Sequence, residues 1–297
     1  MADLAEWQLV LILWGTKYGT QEVTQLVETV RATASRPFRV VLITDRDRDN
    51  MPEGVIQRPF PEFFLKPEFL GPGCQAKLAM HEAGVVPQDL PSIYVDLDTV
   101  VFGDLSKFLD LSKSDKALVL FQSTLLPIGV IGRWLYRVTN KRRYARGNSS
   151  IVIYHPKETT HIAEQFRSLF DQYDGLNFKP MVADERFMSW AQQDHLQAIP
   201  RKLAVKFPTE FMLPWKWAIV LRASMPWVRR RWNGLQAVTL PGVEVKGQQL
   251  LEMKEGAEVV DRKGRRLIWS DRAIGPMKQK LTDYYLALDA REKENDQ

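Results

Sequence analysis

Apolar residues fall into two rhythms along this chain. Unbroken runs at Trp7–Trp14, Phe38–Thr44 and Ser92–Val95 predict buried strands, because short β-branched and aromatic stretches without polar alternation suit a sheet covered on both faces. Between the first two, Thr20–Ala34 sets Val23, Leu26, Val27 and Val30 on one helical face and ends near Ser35-Arg36-Pro37. Strand, loop, helix, strand predicts a βαβ unit with parallel strands and a right-handed crossover. Val55–Phe60 predicts a third strand, Pro59–Gly73 an irregular Pro- and Phe-rich segment, and Cys74–Ala83 a helix ending at Gly84. Leu105–Leu111 then predicts a short helix or turn, Ala117–Gln122 a strand, Val130–Val138 a helix and Gly147–His155 a strand. Helices follow at Pro156–Tyr173 and Val182–Gln193. From Lys202 to Trp232 the chain is rich in Trp, Pro and Arg, and β-like pieces follow at Gln236–Val245, Glu258–Asp261 and Leu267–Ser270.

Alternating strands and helices in 297 residues predict an α/β fold with a mostly parallel sheet flanked by helices. The expected division is a domain over 1–200, a C-terminal basic and aromatic extension over 201–291, and a disordered charged tail over 292–297. One cysteine, Cys74, excludes a disulfide framework and a cysteine-rich zinc site, and suits a reducing, cytoplasmic setting. None of the four histidines has the spacing of a helical zinc site, and His81 reads as structural. Leu9–Trp14 is too short for a signal core or a membrane span. The net charge of +5 is gathered in Arg137–Arg146 and Arg222–Trp232. Basic runs laced with Trp and Tyr suit an anionic membrane surface or nucleic acid, against the plainer reading of solvated helix faces.

The candidate chemistry centres on Ser92–Leu105, SIYVDLDTVVFGDL. Asp96 and Asp98 are two apart, so at a strand end both carboxylates leave the sheet on one side, at the edge where open α/β sheets bind ligands. Two carboxylates form a partial shell for Mn²⁺ or Mg²⁺, with a substrate's phosphates filling the rest. A rival run, DRDRDN at Asp45–Asn50, lacks the glycine and glutamate of a calcium loop and reads as a solvated charged loop. The Gly15–Gly19 turn, at the same sheet edge, has neither the dinucleotide nor the P-loop spacing; its Lys17 suits a phosphate and its Tyr18 a base. Lys77 sits in the first turns of the Cys74–Ala83 helix, where it points to that edge or into solvent.

With these stretches placed, the chain resembles the GT-A class of nucleotide-sugar glycosyltransferases, above all the retaining bacterial enzymes of the family-eight type. Tyr94–Leu105 is similar to that family's Asp-x-Asp signature, Leu13–Gly19 to its nucleotide loop, Asn148-Ser149-Ser150 to its Asn-Ser-Gly strand, and Ala183–Phe187 to its Asp-Gln helix start. The resemblance implies a Rossmann-related GT-A-like fold, a donor site of Trp14, Gly15, Lys17, Tyr18, Lys77 and Asp96, and a metal on Asp96 and Asp98. It further implies acceptor-side residues Asn148 and Ser149, and Asp184 and Glu185 beside the reacting sugar. The family's late histidine ligand is missing: Arg272 takes its place before Gly275-Pro276-Met277-Lys278, Leu240-Pro241-Gly242 is a rival alignment, and Asp271 is the substitute oxygen ligand.

These features imply metal-assisted sugar transfer from a nucleoside-diphosphate donor, with uridine as the base, to a glycan or lipid-linked acceptor, with retention implied by the resemblance. The alternatives are a nucleotidyltransferase making nucleotide sugars, for which Gly15–Gly19 is a poor activation loop, and a non-catalytic basic module. Nucleic acid is the less favoured partner.

Overall fold

The computed structural model describes residues 4–123, 126–240, 247–261 and 264–295. In chain order the elements are β1 (Trp7–Leu13), α1 (Thr20–Thr33), β2 (Phe38–Thr44), β3 (Val55–Pro59), β4 (Ser92–Val95), β5 (Thr99–Val101), β6 (Leu118–Gln122), α2 (Val130–Val138), β7 (Gly147–Tyr154), α3 (Pro156–Gln172), α4 (Asp184–Ala191) and β8 (Leu196–Ala198). There follow β9 (Ala204–Lys206), α5 (Phe207–Phe211), α6 (Lys216–Ser224), α7 (Pro226–Asn233), β10 (Ala237–Thr239), α8 (Gly247–Glu252), β11 (Glu258–Val260), β12 (Arg266–Ile268), α9 (Asp271–Ile274) and α10 (Pro276–Asn295). Two compact units result. One comprises Met1–Thr20, Ser35–Asp96 and Ser106–Ile199; the other comprises Gln21–Ala34, Leu97–Leu105 and Pro200–Gln297.

The first unit is built on a seven-stranded sheet ordered β3-β2-β1-β4-β7-β6-β8. The pairs β1–β2, β2–β3, β1–β4 and β6–β8 are parallel, while β7 runs antiparallel to β4 and β6. Every residue of β1 is buried, as its unbroken apolar run requires. Strand order reverses at β1, so β1 and β4 flank a topological switch point, the place where open α/β sheets bind ligands at the carboxyl ends of their strands. Pro59–Gly73 is organised into 3₁₀ turns at Glu62–Leu65 and Pro67–Phe69. Phe63, Phe64 and Phe69 from these turns pack on Phe166 of α3. The expected helix at Cys74–Ala83 is instead a 3₁₀ helix, Gln75–His81, with all seven residues buried. Gly147 is required by close packing, because a Cβ there would lie 2.6 Å from the Leu120 side chain.

The second unit has its own core, in which Phe207, Phe211, Trp232 and Trp269 pack with Leu267, Ile274 and Leu281. Its three-stranded sheet is ordered β5-β10-β9, and β11 pairs with β12 as a separate antiparallel ribbon. The reading of Gln236–Val245 as β-like reduces to Ala237–Thr239, and its residues 241–246 lie outside the described residues. Glu292 was expected to open a tail, yet α10 continues through Asn295; residues 296–297 lie outside the described set. Arg291 of α10 donates to Gln25 Oε1 of α1 at 2.8 Å and pairs with Glu28. Among the described residues no helix is long and apolar enough to cross a membrane.

Candidate active site

Five segments of the first unit contribute to one cluster at the carboxyl ends of β1 and β4. After β1 the chain turns at Gly15, whose φ of +63° favours a residue without Cβ. The turn is clasped by the run after β2. Gly15 N–H donates to Asp45 Oδ2 at 3.0 Å, and Gly15 O accepts from Arg46 at 3.0 Å and Arg48 at 3.1 Å. Arg48 also donates to Asp45 Oδ1 at 2.7 Å, and its side chain is only 9% exposed. Asp45 and Arg48 are thus drawn in against the Gly15 turn, while Arg46, Asp47, Asp49 and Asn50 are exposed, as expected of a solvated charged loop. Burial pulls against ionisation of Asp45, but the Gly15 amide and Arg48 outweigh it and hold its carboxyl below the usual range. Trp14 is half-buried, edge-on to Phe60 with centroids 6.2 Å apart, and Lys17 Nζ lies 5.0 Å from the centre of the Tyr18 ring.

The 3₁₀ helix after Cys74 delivers Lys77. Gly73 carries no Cβ because one would fall 2.4 Å from the Gln75 amide, which folds back and donates to Met181 O at 2.9 Å. Cys74 itself takes a left-handed conformation, φ +53°, and Lys77 N–H closes on Cys74 O at 3.0 Å. Lys77 is thereby turned inward, not into solvent. Its Nζ lies 2.6 Å from Asp96 Oδ1 and 2.8 Å from Oδ2. Tyr94, two residues earlier on β4, donates its hydroxyl to Asp96 Oδ1. Burial alone would lower the Lys77 pKa, but Asp96, Tyr94, Asp184 and Cys74 together hold it well above the ordinary value, so the ammonium stays charged. Burial and the Asp96 charge push the Tyr94 hydroxyl far up, so it remains a donor.

The fourth and fifth segments are the start of β7 and the start of α4. Asp184 N–H donates to Gly73 O at 2.9 Å, which ties the helix start to the turn before Lys77. Ser149 Oγ donates to Asp184 Oδ2 at 2.6 Å, and Asn148 Nδ2 donates to Glu185 Oε2 at 2.7 Å. Asp184 is 4% exposed, and burial raises its pKa to about 7 even though Lys77 and Ser149 favour the carboxylate; Glu185 adds to the rise. The structure thus brings together Lys77, Asp96, Asn148, Ser149, Asp184 and Glu185. It adds two residues passed over in the sequence, Tyr94 and Cys74. Tyr94 was legible from the two-residue strand period, which puts it on the side of Asp96. Burial raises the Cys74 thiol pKa, with Lys77, Asp184, Asp96 and Lys17 all near enough to act on it.

Two further candidates fall in the second unit. Asp98 belongs to the second unit, where its backbone oxygen accepts from Leu240 N at 3.0 Å; its charge, after burial, Tyr285 and Glu22, adds to what raises the Tyr284 hydroxyl pKa. Asp271, the substitute oxygen ligand of the resemblance, accepts from Lys278 Nζ at 2.6 Å and from Trp269 Nε1 at 2.7 Å. Arg272, at the family's histidine position, lines a basic cavity of about 250 Å³ with Arg229, Trp232 and Lys280. Among the described residues no three His, Cys, Asp or Glu side chains come together as a metal site. Asp96 retains lone-pair capacity on Oδ2 beyond Lys77, and a hard carboxylate oxygen of this kind fits Mg²⁺ or Mn²⁺ completed by phosphates. His81 is structural, as expected: it is buried between Thr159 and Met188, and burial, with His161, lowers its pKa to about 3.

The sequence matches no protein-family model and no curated protein. The fold, by contrast, is GT-A-like and is shared with solved glycosyltransferases. The galactosyltransferase LgtC, in complex with donor and acceptor sugar analogs, aligns over 94% of this chain and 95% of its own, with 14% identity and a TM-score of 0.56. GlyE of Streptococcus pneumoniae TIGR4 aligns over 98% of this chain and 64% of its own, at 12% identity and a TM-score of 0.51. For the bifunctional glycosyltransferase WbbM the figures are 80% and 46%, 13% identity and a TM-score of 0.54.

Proposed function

We propose that this protein transfers a sugar from a nucleoside-diphosphate donor, with uridine as its base, to an acceptor hydroxyl. One observation carries the reading. A buried lysine, Lys77, is held against Asp96 and Tyr94 at the switch point of a glycosyltransferase fold, next to the Asp184–Ser149 pair.

The difficult event in such a transfer is departure of the diphosphate, which gains negative charge while the anomeric carbon becomes cationic. Fixed positive charge in a water-poor site stabilises the leaving group without reorganising. Lys77 supplies it, and Lys17 on the neighbouring turn is the second cation. Trp14 and Tyr18 seat the base, and the Asp45–Arg48 clasp holds the Gly15 turn beneath the phosphates. Asp96 is the residue of this cluster that would help hold Mn²⁺ or Mg²⁺, which when bound would supply Lewis-acid stabilisation of the diphosphate. Asp184 and Glu185 face the sugar, where negative charge favours the cationic anomeric carbon. Asn148 and Ser149 orient these two carboxyl groups and border the acceptor. Retention of configuration belongs to the same proposal, as does a glycan or lipid-linked acceptor.

The test is uridine diphosphate release from a panel of nucleotide sugars. Wild-type protein is expected to turn over at least one donor, and Lys77→Met to lose about a hundredfold. Turnover of a nucleoside triphosphate with a sugar phosphate, and of no nucleotide sugar, would overturn the assignment in favour of nucleotidyl transfer.

A further inference from the structure

The helix with the most one-sided hydrophobic pattern in the first unit turns that side outward. In α2, Val130, Ile131, Trp134 and Val138 are 75%, 59%, 62% and 57% exposed. At 3.6 residues per turn these four positions fall within about 100° of one another, so they form a single apolar stripe. The opposite side carries the packing. A Cβ on Gly132 would meet Pro127 O and Ala145, and Tyr136 is buried with its hydroxyl donating to Trp190 O at 2.9 Å. The stripe is therefore not a core face left open by a misplaced helix, because the core face is filled.

The flanks of the stripe are strongly basic. From Lys116 to Lys157 the sequence contains no Asp or Glu, and Arg133 and Arg137 of α2 are followed by Lys141, Arg142, Arg143 and Arg146 in the segment after it. Left-handed Asn140 and Lys141 bend the chain sharply at the helix end, where Lys141 N–H caps Tyr136 O at 2.7 Å. Lys141, Arg142 and Arg143 are exposed beyond that bend. The acid that answers this cluster is Asp194, bonded to Arg137 at 2.7 Å.

We propose that α2 and the Lys141–Arg143 turn dock this protein on an anionic lipid bilayer, with Val130, Ile131, Trp134 and Val138 entering the headgroup boundary. An apolar stripe with Trp at its centre and cations at its edge has the chemistry of an interfacial helix. A second copy fits less well. A symmetric pairing would set two strongly basic clusters against each other. A stable protein interface also needs roughly 800 Å² per partner, more than four side chains on a helix about 14 Å long cover. Lipid binding does not require sugar transfer, so either proposal can fail alone.

The experiment is flotation of the full chain with phosphatidylglycerol-containing vesicles and with pure phosphatidylcholine vesicles, at low and raised salt. Wild type is expected to bind the anionic vesicles and to release as salt rises. Ile131→Ser with Trp134→Ser should weaken partitioning about tenfold or more. Arg142→Glu with Arg143→Glu should weaken it about fivefold per charge removed and abolish the preference for anionic lipid. Trp217→Ser with Trp227→Ser, equally exposed on α6 and α7, should leave it within about twofold. Circular dichroism melts of each variant confirm folding, which surface positions should preserve. The proposal is overturned if wild type ignores anionic vesicles, if the Trp217 and Trp227 variant loses binding as severely, or if light scattering finds a dimer that Trp134→Ser dissolves.

Discussion

Lys77 Nζ lies 2.6 Å from Asp96 Oδ1, and the two side chains are 10% and 18% exposed. A buried pair of this kind contributes little over an apolar substitute, but breaking it leaves one charge unanswered in a poor solvent. Lys77→Met is expected to lower unfolding free energy by about 3 kcal/mol, moderated by the partial exposure of Asp96. Urea midpoints at unchanged slope measure it, and a loss below about 1 kcal/mol would mean the pair is solvated like a surface bridge.

Asp184 gives the site a titration near neutrality. Its folded pKa of about 7 lies above the ordinary value of 3.8, so the folded state binds the extra proton between these limits. The stability this group contributes is full below about 4 and is lost as pH rises through about 7. Asp184→Asn should flatten that part of the stability profile. It should also remove an ascending limb of activity near pH 7, if the carboxylate is the active form. Identical pH profiles for variant and wild type would assign the titration elsewhere.

Asp45 holds the Gly15 turn through the Gly15 amide at 3.0 Å and through Arg48. Asp45→Ala should release the turn and weaken uridine diphosphate binding about tenfold, since a charged hydrogen bond is worth about 1.5–3 kcal/mol. Isothermal titration checks it. Unchanged affinity would separate the clasp from the donor site.

Glu210 gathers Arg201 at 2.5 Å, Arg222 at 2.6 Å, Arg231 and the Trp232 indole at 2.7 Å around a side chain only 2% exposed. Arg222 and Arg231 of the basic run Arg222–Trp232 are therefore committed inside the second unit, while Arg229 and Arg230 are exposed. Burial works against ionisation of Glu210, but Trp232 and the arginines hold its pKa below 4.5. Its contribution is present above that value and fades as pH falls through the folded pKa. Glu210→Ala should cost about 3–5 kcal/mol, measured as a lowered melting point. A shift within error would show that water answers the arginines instead.

How far the sequence could be read depended on how local each cause was. β2 and α2 have the bounds their apolar spacing indicates, because a strand run and a helical stripe are set by neighbours in the chain. Cys74–Ala83 became a 3₁₀ helix because an i, i+3 repeat serves either form, and Gly73 with left-handed Cys74 tightened it. The antiparallel entry of β7 beside β4 carries no local mark at all. Within the site, Asp96 and Tyr94 share a strand face, which a period of two discloses. The burial of Lys77 depends on partners 19 residues ahead and more than 100 residues ahead, and a lone helical lysine gives no sign of them. Likewise, the pairing of Asp45 and Arg48 with Gly15, and of Arg222 and Arg231 with Glu210, has no local mark, because these partners are set by the fold.

The most direct test of the central claim is the thermal shift produced by uridine diphosphate with Mn²⁺. The account predicts that the nucleotide raises the melting temperature of wild type by several degrees at about 100 Kd. It also predicts that Mn²⁺ deepens the shift and that Asp96→Asn abolishes it. A shift of the same size in Asp96→Asn, or none in wild type at millimolar nucleotide, would contradict the account.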